Sequence, residues 1–592
     1  MSKSQKNIAS VTAVLALGIL VAGLGFIAKK VFNEPLATSP QTESTSASSQ
    51  TNTAASDTAT TDTTDTKNGA AIILFETSDI HGYLMDTTGG DASTFQYRLA
   101  YMAKVFNDAR ESGEYDDVLL IDGGDIYQGA PLSNLTDGAA LRAAFDLMDY
   151  DAVSLGNHEF DWNVKEFATD SDCTLPAYSI GSYSGDPDIP VLASDLCYAD
   201  THARTEFTKD YVIVEKAGYK IALIGYIPDY SGDIMRAKIS PYEIQDDLSS
   251  LSQRVKEINE AETPDITIVL AHQDPVTVAA GLDPEDVDLI AGGHTHAGLY
   301  GTADNGIPYI QSDCNAKGYS QATLVISADG TVTIEDQLYT SITENSELLY
   351  DTPENAGNFD EEVLALSHVA WDSISDEMNE ELGYIDASYG KNDYVGGVTT
   401  SGGNFITNLM LEYYSYEGAV AAFYNGGGVR AGVTVPEGET VSIKVSDIYA
   451  VNPFGNVWLL YDISGEELAR QIEDSLKNPN LGEQVSGLTY EYNDIGTEEE
   501  PDYEIVSITL SDGTAVDIHG KDPVYRIVIS NYSATLEGSV FEDKTPVYPV
   551  ADAPIDSQAL IELLRDRRDR GETHIPVDRT PRGKCLNKES GV

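Results

Sequence analysis

Five short apolar runs in the first half of this chain stop at histidine, aspartate or asparagine. Ala71-Ile72-Ile73-Leu74-Phe75 leads into Thr77-Ser78-Asp79-Ile80-His81, and Val118-Leu119-Leu120-Ile121 into Asp122-Gly123-Gly124-Asp125. Ala152-Val153-Ser154-Leu155 precedes Gly156-Asn157-His158-Glu159-Phe160-Asp161. Residues 266–270 run into Ala271-His272, and residues 287–290 into Gly292-Gly293-His294-Thr295-His296. Apolar runs alternating with helical stretches, such as 95–109 and 138–148, predict α/β layers with strands buried on both faces. Ligands in such folds gather at the carboxyl ends of the strands.

The residues at these ends are types that bind metal or move protons. Asn157 offers a neutral oxygen, His158 an imidazole, and Asp161 a carboxylate that can orient it. One such turn alone also reads as the start of a helix, with Asn157 as its cap. The set is larger than one turn. Of nine histidines in the chain, five fall among Asp79, His81, Asp125, Asn157, His158, His272, His294 and His296. Mixed oxygen and imidazole donors suit zinc, manganese or iron better than calcium. Eight groups exceed the needs of one tetrahedral ion. Two divalent metal ions sharing a carboxylate are therefore expected, an arrangement suited to displacement at phosphorus.

At 592 residues the chain is too long for one core; two large bodies with accessory segments are expected. The formal net charge of -62 argues against nucleic acid as a partner, because phosphate affinity comes from Lys and Arg. A phosphorylated substrate would need local cations rather than the global field. Cys173, Cys197, Cys314 and Cys585 fit neither a disulfide framework nor a zinc spacing. A Cys173–Cys197 pair and free thiols are both compatible with the sequence.

Residues 11–28 carry no charge and are flanked by Lys3, Lys6, Lys29 and Lys30. This is nearly enough to cross a hydrocarbon core as a helix, so residues 1–36 are expected to be an export signal or an uncleaved membrane anchor. Residues 37–68 are rich in Ser, Thr, Ala and Asp and read as a disordered stalk. Together they predict an extracellular, cell-surface protein tethered through the N-terminal segment, or secreted after cleavage. The first body is expected over 69–345. An acidic connector helix follows over 346–385, with Leu364 and Trp371 on its buried face. A second body spans 386–575, and 576–592 is a tail. A last helix at 555–570 ends at Gly571 and carries Arg565, Arg567, Arg568 and Arg570. These read as cations at a helix C-terminus, ahead of a phosphate-binding patch.

Asp79-x-His81, Gly124-Asp125, Gly156-Asn157-His158-Glu159, His272 and Gly293-His294-x-His296 stand in the order and spacing of calcineurin-like metallophosphoesterases. With Asn425-Gly426-Gly427-Gly428-Val429-Arg430 and Pro453-Phe454-Gly455-Asn456, the chain resembles the 5′-nucleotidase / UDP-sugar hydrolase family over about residues 70–575. The resemblance implies a four-layer α-β-β-α catalytic domain followed by a smaller α+β substrate-binding domain. It implies Asp79, His81, Asp125 and His296 on one metal, and Asp125, Asn157, His272 and His294 on the other. It makes His158 the catalytic histidine and Asp161 its partner. It assigns Asn425, Gly427, Gly428 and Arg430 to substrate, with Phe454 and Tyr532 as an aromatic clamp for a base. The activity implied is release of phosphate from nucleoside 5′-monophosphates. UDP-sugar diphosphatase and 2′,3′-cyclic phosphodiesterase activities are alternatives on the same metals. The alternative from another class is a catalytically idle surface binding protein. The family's Gly-Gly-Asp-Gly run reads Thr535-Leu536-Glu537-Gly538 here, and the Arg expected before Gly403-Asn404 is absent.

Overall fold

Successive residues of the strand Ala70–Thr77 point to opposite faces, and both faces are buried. Ile72 and Leu74 join one apolar core, while Ile73 and Phe75 join another. This strand lies inside a six-stranded sheet ordered Val332–Ser341, Gly318–Ile326, Ala70–Thr77, Asp117–Asp122, Ala152–Ser154 and Val191–Leu192. Its last four strands are parallel, so their carboxyl ends share one edge. A second six-stranded sheet holds Tyr219–Tyr226, Ile266–Ala271, Leu289–Ala291 and Pro308–Gln311 as parallel neighbours, with antiparallel strands at both edges.

The core clusters fix the layers. Ile72, Leu74, Leu119 and Ile121 of the first sheet pack against Leu223, Ile268 and Leu270 of the second. The outer face of the first sheet is covered by the helices Arg98–Ser112 and Ala139–Met148. Leu248–Glu262 and Pro275–Ala280 cover the second. The result is helix, sheet, sheet, helix. Each fully buried Leu or Ile contributes about 1.5–3 kcal/mol, which ties the strand ends to a rigid base.

The computed structural model describes residues 69–587, apart from 88–91, 163, 168, 170, 228–238, 246, 397, 454, 478–481, 498–500, 537, 542–543 and 549–552. The expected anchor and stalk, and Phe454, lie outside the described residues. Among the described residues no helix is long and apolar enough to cross a membrane. Cys173, Cys197, Cys314 and Cys585 are all free thiols.

The expected connector is α-helical only over Glu361–Met378, after short 3-10 turns at Thr343–Leu349 and Ala356–Asn358; Glu381–Ile385 is a strand paired with Val441–Lys444. The Asp360 side chain caps the helix, accepting from the N–H groups of Glu362 and Val363 at 3.0 Å each. Its buried stripe is Val363, Leu366, Ser367, Ala370, Ile374 and Met378. Leu364 and Trp371 flank that stripe, partly buried, with the Trp371 ring edge-on to Phe95 at 4.7 Å. One apolar cluster runs from the first body through this helix into Phe405, Ile448 and Leu460 of the second.

The second body holds a four-stranded sheet ordered Trp458–Ser464, Val524–Ser530, Ala421–Tyr424 and Gln484–Ser486. Residues 576–592 are not all tail: Gly583–Cys585 adds an edge strand parallel to Leu488–Asp494. The last helix, Asp556–Asp569, spends its arginines on acids. Arg565 and Arg568 bond Glu380, Arg567 bonds Glu412, and Arg570 bonds Glu572. Leu366→Ala removes a fully buried side chain and is expected to destabilise the chain by about 2–5 kcal/mol, against less than half of that for Leu364→Ala. Urea denaturation of the two variants, side by side, checks which face of the helix is buried.

Candidate active site

Five of the expected metal ligands sit on left-handed backbone: Asp79 (φ 53), His81 (φ 49), Asp125 (φ 58), His294 (φ 69) and His296 (φ 56). Non-glycine residues adopt this region rarely, at a cost of about 1–3 kcal/mol each. It curls the chain sharply where each strand ends, and the side chains converge. Neighbouring strand ends are stitched together: the Asp79 N–H donates to Gly124 O at 2.8 Å and the His81 N–H to Asp125 O at 2.9 Å. The His294 N–H donates to Asp79 Oδ2 at 3.0 Å, joining the second sheet to the first. Glycine is required where the loops touch. A Cβ on Gly156 would lie 2.1 Å from Asp125 Oδ1 and one on Gly124 2.6 Å from Gly156 N.

Glu159 holds this contact together, a role the sequence reading did not assign. Its carboxylate accepts from the N–H groups of Asp125 at 2.9 Å, Ile126 at 2.8 Å and Gly156 at 2.7 Å. The signal was present as the last residue of Gly156-Asn157-His158-Glu159.

The donor atoms form two adjoining clusters. In one, His296 Nε2 lies 3.3 Å from Asp79 Oδ1, and His81 Nε2 lies 3.0 Å from His296 Nε2 and 3.9 Å from Asp125 Oδ2. In the other, His272 Nε2 lies 3.1 Å from Asp125 Oδ2 and 3.2 Å from Asn157 Oδ1, which is 2.9 Å from His294 Nδ1. Asp125 is common to both. The far ring nitrogens are anchored: His81 Nδ1 bonds Gln128 O and His272 Nδ1 bonds Gly123 O, each at 2.9 Å. A ring that donates from Nδ1 to a carbonyl presents the Nε2 lone pair to a metal.

The donor set fits divalent cations. Burial works against charge on Asp79 and Asp125, yet the surrounding histidines hold both carboxyls below their ordinary value. Burial likewise opposes charge on His272 and His296, and the carboxylates overcome it, lifting them to about 9 and about 10. Burial wins at His81, which falls to about 4. Two neutral imidazole nitrogens could not face each other at 3.0 Å without a proton or a cation between them.

His158 stands beside the clusters. Its Nδ1 bonds Asp161 Oδ2 at 2.7 Å, and its backbone N–H donates to Asp125 Oδ1 at 2.8 Å. Burial pulls its pKa down, but Asp125 and Asp161 outweigh that and raise it to about 10.

A cavity of about 310 Å³ opens over these residues. Asp125, Asn157, His158, Asp161, His294 and His296 line it from the first body. Asn425, Gly427, Arg430 and Tyr532 line it from the second, joined by Asn456, Asn531 and Thr535, which were not expected there. Asp79, His81 and His272 lie behind this lining. Gly428 is not at the cavity. It packs on Tyr424, whose Cε1 would be 2.6 Å from an added Cβ, so the neighbouring ring requires a glycine there.

Glu159→Ala would strand three backbone N–H groups beside Asp125. The expected result is metal affinity weakened by about 10–100-fold in calorimetric titration. Affinity equal to that of the wild type would show that the clamp does not position Asp125.

Residues 74–298 match the calcineurin-like phosphoesterase family, and residues 386–542 match the 5′-nucleotidase C-terminal domain. The trifunctional nucleotide phosphoesterase protein YfkN of Bacillus subtilis (strain 168) is 24% identical over 497 residues, covering 78% of this chain. This chain spans only 31% of that longer protein. A 5′-nucleotidase of Diplobatis ommata is 24% identical over 551 residues, 86% of either chain. The crystal structure of a 5′-nucleotidase precursor from Thermus thermophilus shares the fold with a TM-score of 0.61 and 20% identity, over 88% of this chain and 100% of that one. With both domains matched in this order, the chain belongs to the 5′-nucleotidase family of metal-dependent phosphoester hydrolases.

Proposed function

We propose that this chain hydrolyses nucleoside 5′-monophosphates or closely related nucleotides, outside the cell, with two divalent cations at the clusters around Asp125. The observation that carries the reading is one cavity whose floor is a paired metal-ligand set and whose roof is amide and aromatic. The floor suits a phosphate and the roof suits a base. Asp79, His81, Asp125 and His296 would hold one ion; Asp125, Asn157, His272 and His294 would hold the other. Cations held by these residues would supply charge to offset the phosphate and would make a bound water more acidic.

The chain's own groups supply the rest. Asp161 fixes the His158 ring through Nδ1, which directs Nε2 to the cavity. A proton held on His158 Nε2 can stabilise charge on the phosphoryl oxygens or pass to the leaving oxygen. Arg430 offers a second positive charge at the opposite wall. Tyr532 presents a ring that is 38% exposed, available for stacking on a base. Phe454 is its proposed partner. Export and tethering through residues 1–36 belong to the same proposal; a full-length chain released from washed membranes by salt alone would remove the tether.

His158→Ala is expected to lower kcat by about 10²–10⁴-fold with metal content unchanged; undiminished phosphate release would refute its role. Tyr532→Ala is expected to raise KM for AMP by about five- to hundredfold, the equivalent of about 1–3 kcal/mol of stacking. Its hydrolysis of a phosphate ester without a base should stay near that of wild type. Equal losses on both esters would rule out a base-stacking role. Phosphate release from AMP, UDP-glucose and 2′,3′-cyclic AMP, measured side by side, ranks the three chemistries, and AMP is expected to be fastest. No release from any of them would leave a binding protein.

A further inference from the structure

A separate group of metal-binding atoms is drawn together on the ribbon formed by Leu196–Tyr198 and Tyr242–Ile244. Cys197 and Glu243 are direct cross-strand partners, so their side chains share one face. The chain then turns back on itself: the His202 N–H donates to Tyr198 O at 2.8 Å, and the Tyr198 N–H to Ala203 O at 2.9 Å. His202 takes left-handed backbone (φ 54), and its Nδ1 meets Glu243 Oε1. Cys197 Sγ lies 3.5 Å from the same Oε1. The three donor atoms all lie within 4.8 Å of one another.

We propose that Cys197, His202 and Glu243 form a third divalent-metal site, for zinc or an ion of similar softness, with water completing the shell. A tetrahedral zinc, with bonds of about 2.3 Å to sulfur and about 2.0 Å to oxygen, separates those two donors by about 3.5 Å. The Cys197–Glu243 spacing has that value. Thiolate, imidazole and carboxylate together favour zinc over magnesium or calcium. The burial gradient suits an ion held from below and open above: Cys197 is fully buried, while the His202 side chain is 65% exposed. Cys197 binds as the thiolate, so ion capture would release the thiol proton. No sequence spacing announces this site, because the strand pairing of 197 with 243 creates it. Its effect would be to pin the turn at 198–203 to the neighbouring strand.

The test is metal counting on the full chain, loaded with zinc and dialysed. Cys197→Ser and His202→Ala are each expected to carry one zinc fewer per chain than wild type. His202→Ala alters an exposed side chain, so it keeps the test alive if Cys197→Ser fails to fold. Cobalt loading gives a second readout. Thiolate-to-cobalt charge-transfer absorption is expected in wild type and in Cys314→Ser, and is expected to vanish in Cys197→Ser or His202→Ala. Equal zinc content in wild type and the folded variants overturns the proposal, as does cobalt–thiolate absorption that survives in the Cys197→Ser or His202→Ala protein.

Discussion

Two buried carboxylates, Asp79 and Asp125, set the terms for the site and for the strand ends around it. Neither is more than 1% exposed, and His272 Nε2 lies 4.0 Å from one and 3.1 Å from the other. The charge of Asp125 works to push the Asp79 carboxyl up, because like charges in one buried space repel. A fold that puts them together needs positive charge in the same space. Imidazoles that can carry protons or hold cations supply it, and they come from strand ends of both sheets. The left-handed backbone at five ligand positions is the geometric cost of that convergence.

The neighbouring acids show that burial alone does not decide protonation. Glu76 and Asp122 are as buried as Asp79, and burial pushes both carboxyls well up. Asp122 nonetheless accepts from Thr77 Oγ1 at 2.6 Å and from the Gly124 N–H at 2.9 Å, so it shapes the loop that carries Asp125. The difference lies in what faces each group: histidines at Asp79 and Asp125, a hydroxyl and a backbone amide at Asp122. Acids in one neighbourhood are thereby split into a pair suited to metal and a set that supports it.

Much of this was legible because ligand chemistry is carried by residue type. Histidine, aspartate and asparagine after buried strands point to a site whatever the exact backbone, and the ends of Ile266–Ala271 and Leu289–Ala291 fell close to where apolar runs stop. Other features depend on three-dimensional neighbours and were hidden. The left-handed angles sit on histidines and aspartates, where composition gives no warning. Gly428 reads as one of a run of substrate-contacting residues, yet its small size answers to the Tyr424 ring. In the connector, the large apolar residues Leu364 and Trp371 draw the eye, but the helical period that the fold buries runs through Val363, Leu366 and Ala370. The edge strand Gly583–Cys585 is three residues long and exists only because Leu488–Asp494 has an open side.

Floor and roof of the cavity come from different bodies, so the two walls can change separately. The roof is nevertheless not loose. The Asn531 side chain accepts from the Val457 N–H at 2.7 Å, while its backbone N–H donates to Val457 O at 2.9 Å. It thereby ties the end of Val524–Ser530 to the start of Trp458–Ser464. Thr535 Oγ1 donates to Asn531 O at 3.0 Å and closes the short turn that carries Tyr532. These bonds make Asn531 a brace for the wall more than a reader of substrate. They leave the Tyr532 ring as the exposed element on a fixed support. The departure from the family pattern begins at Thr535, which lines the cavity from the second body. That change falls on the wall supplied by the second body, not among the histidines and aspartates at the strand ends of the first.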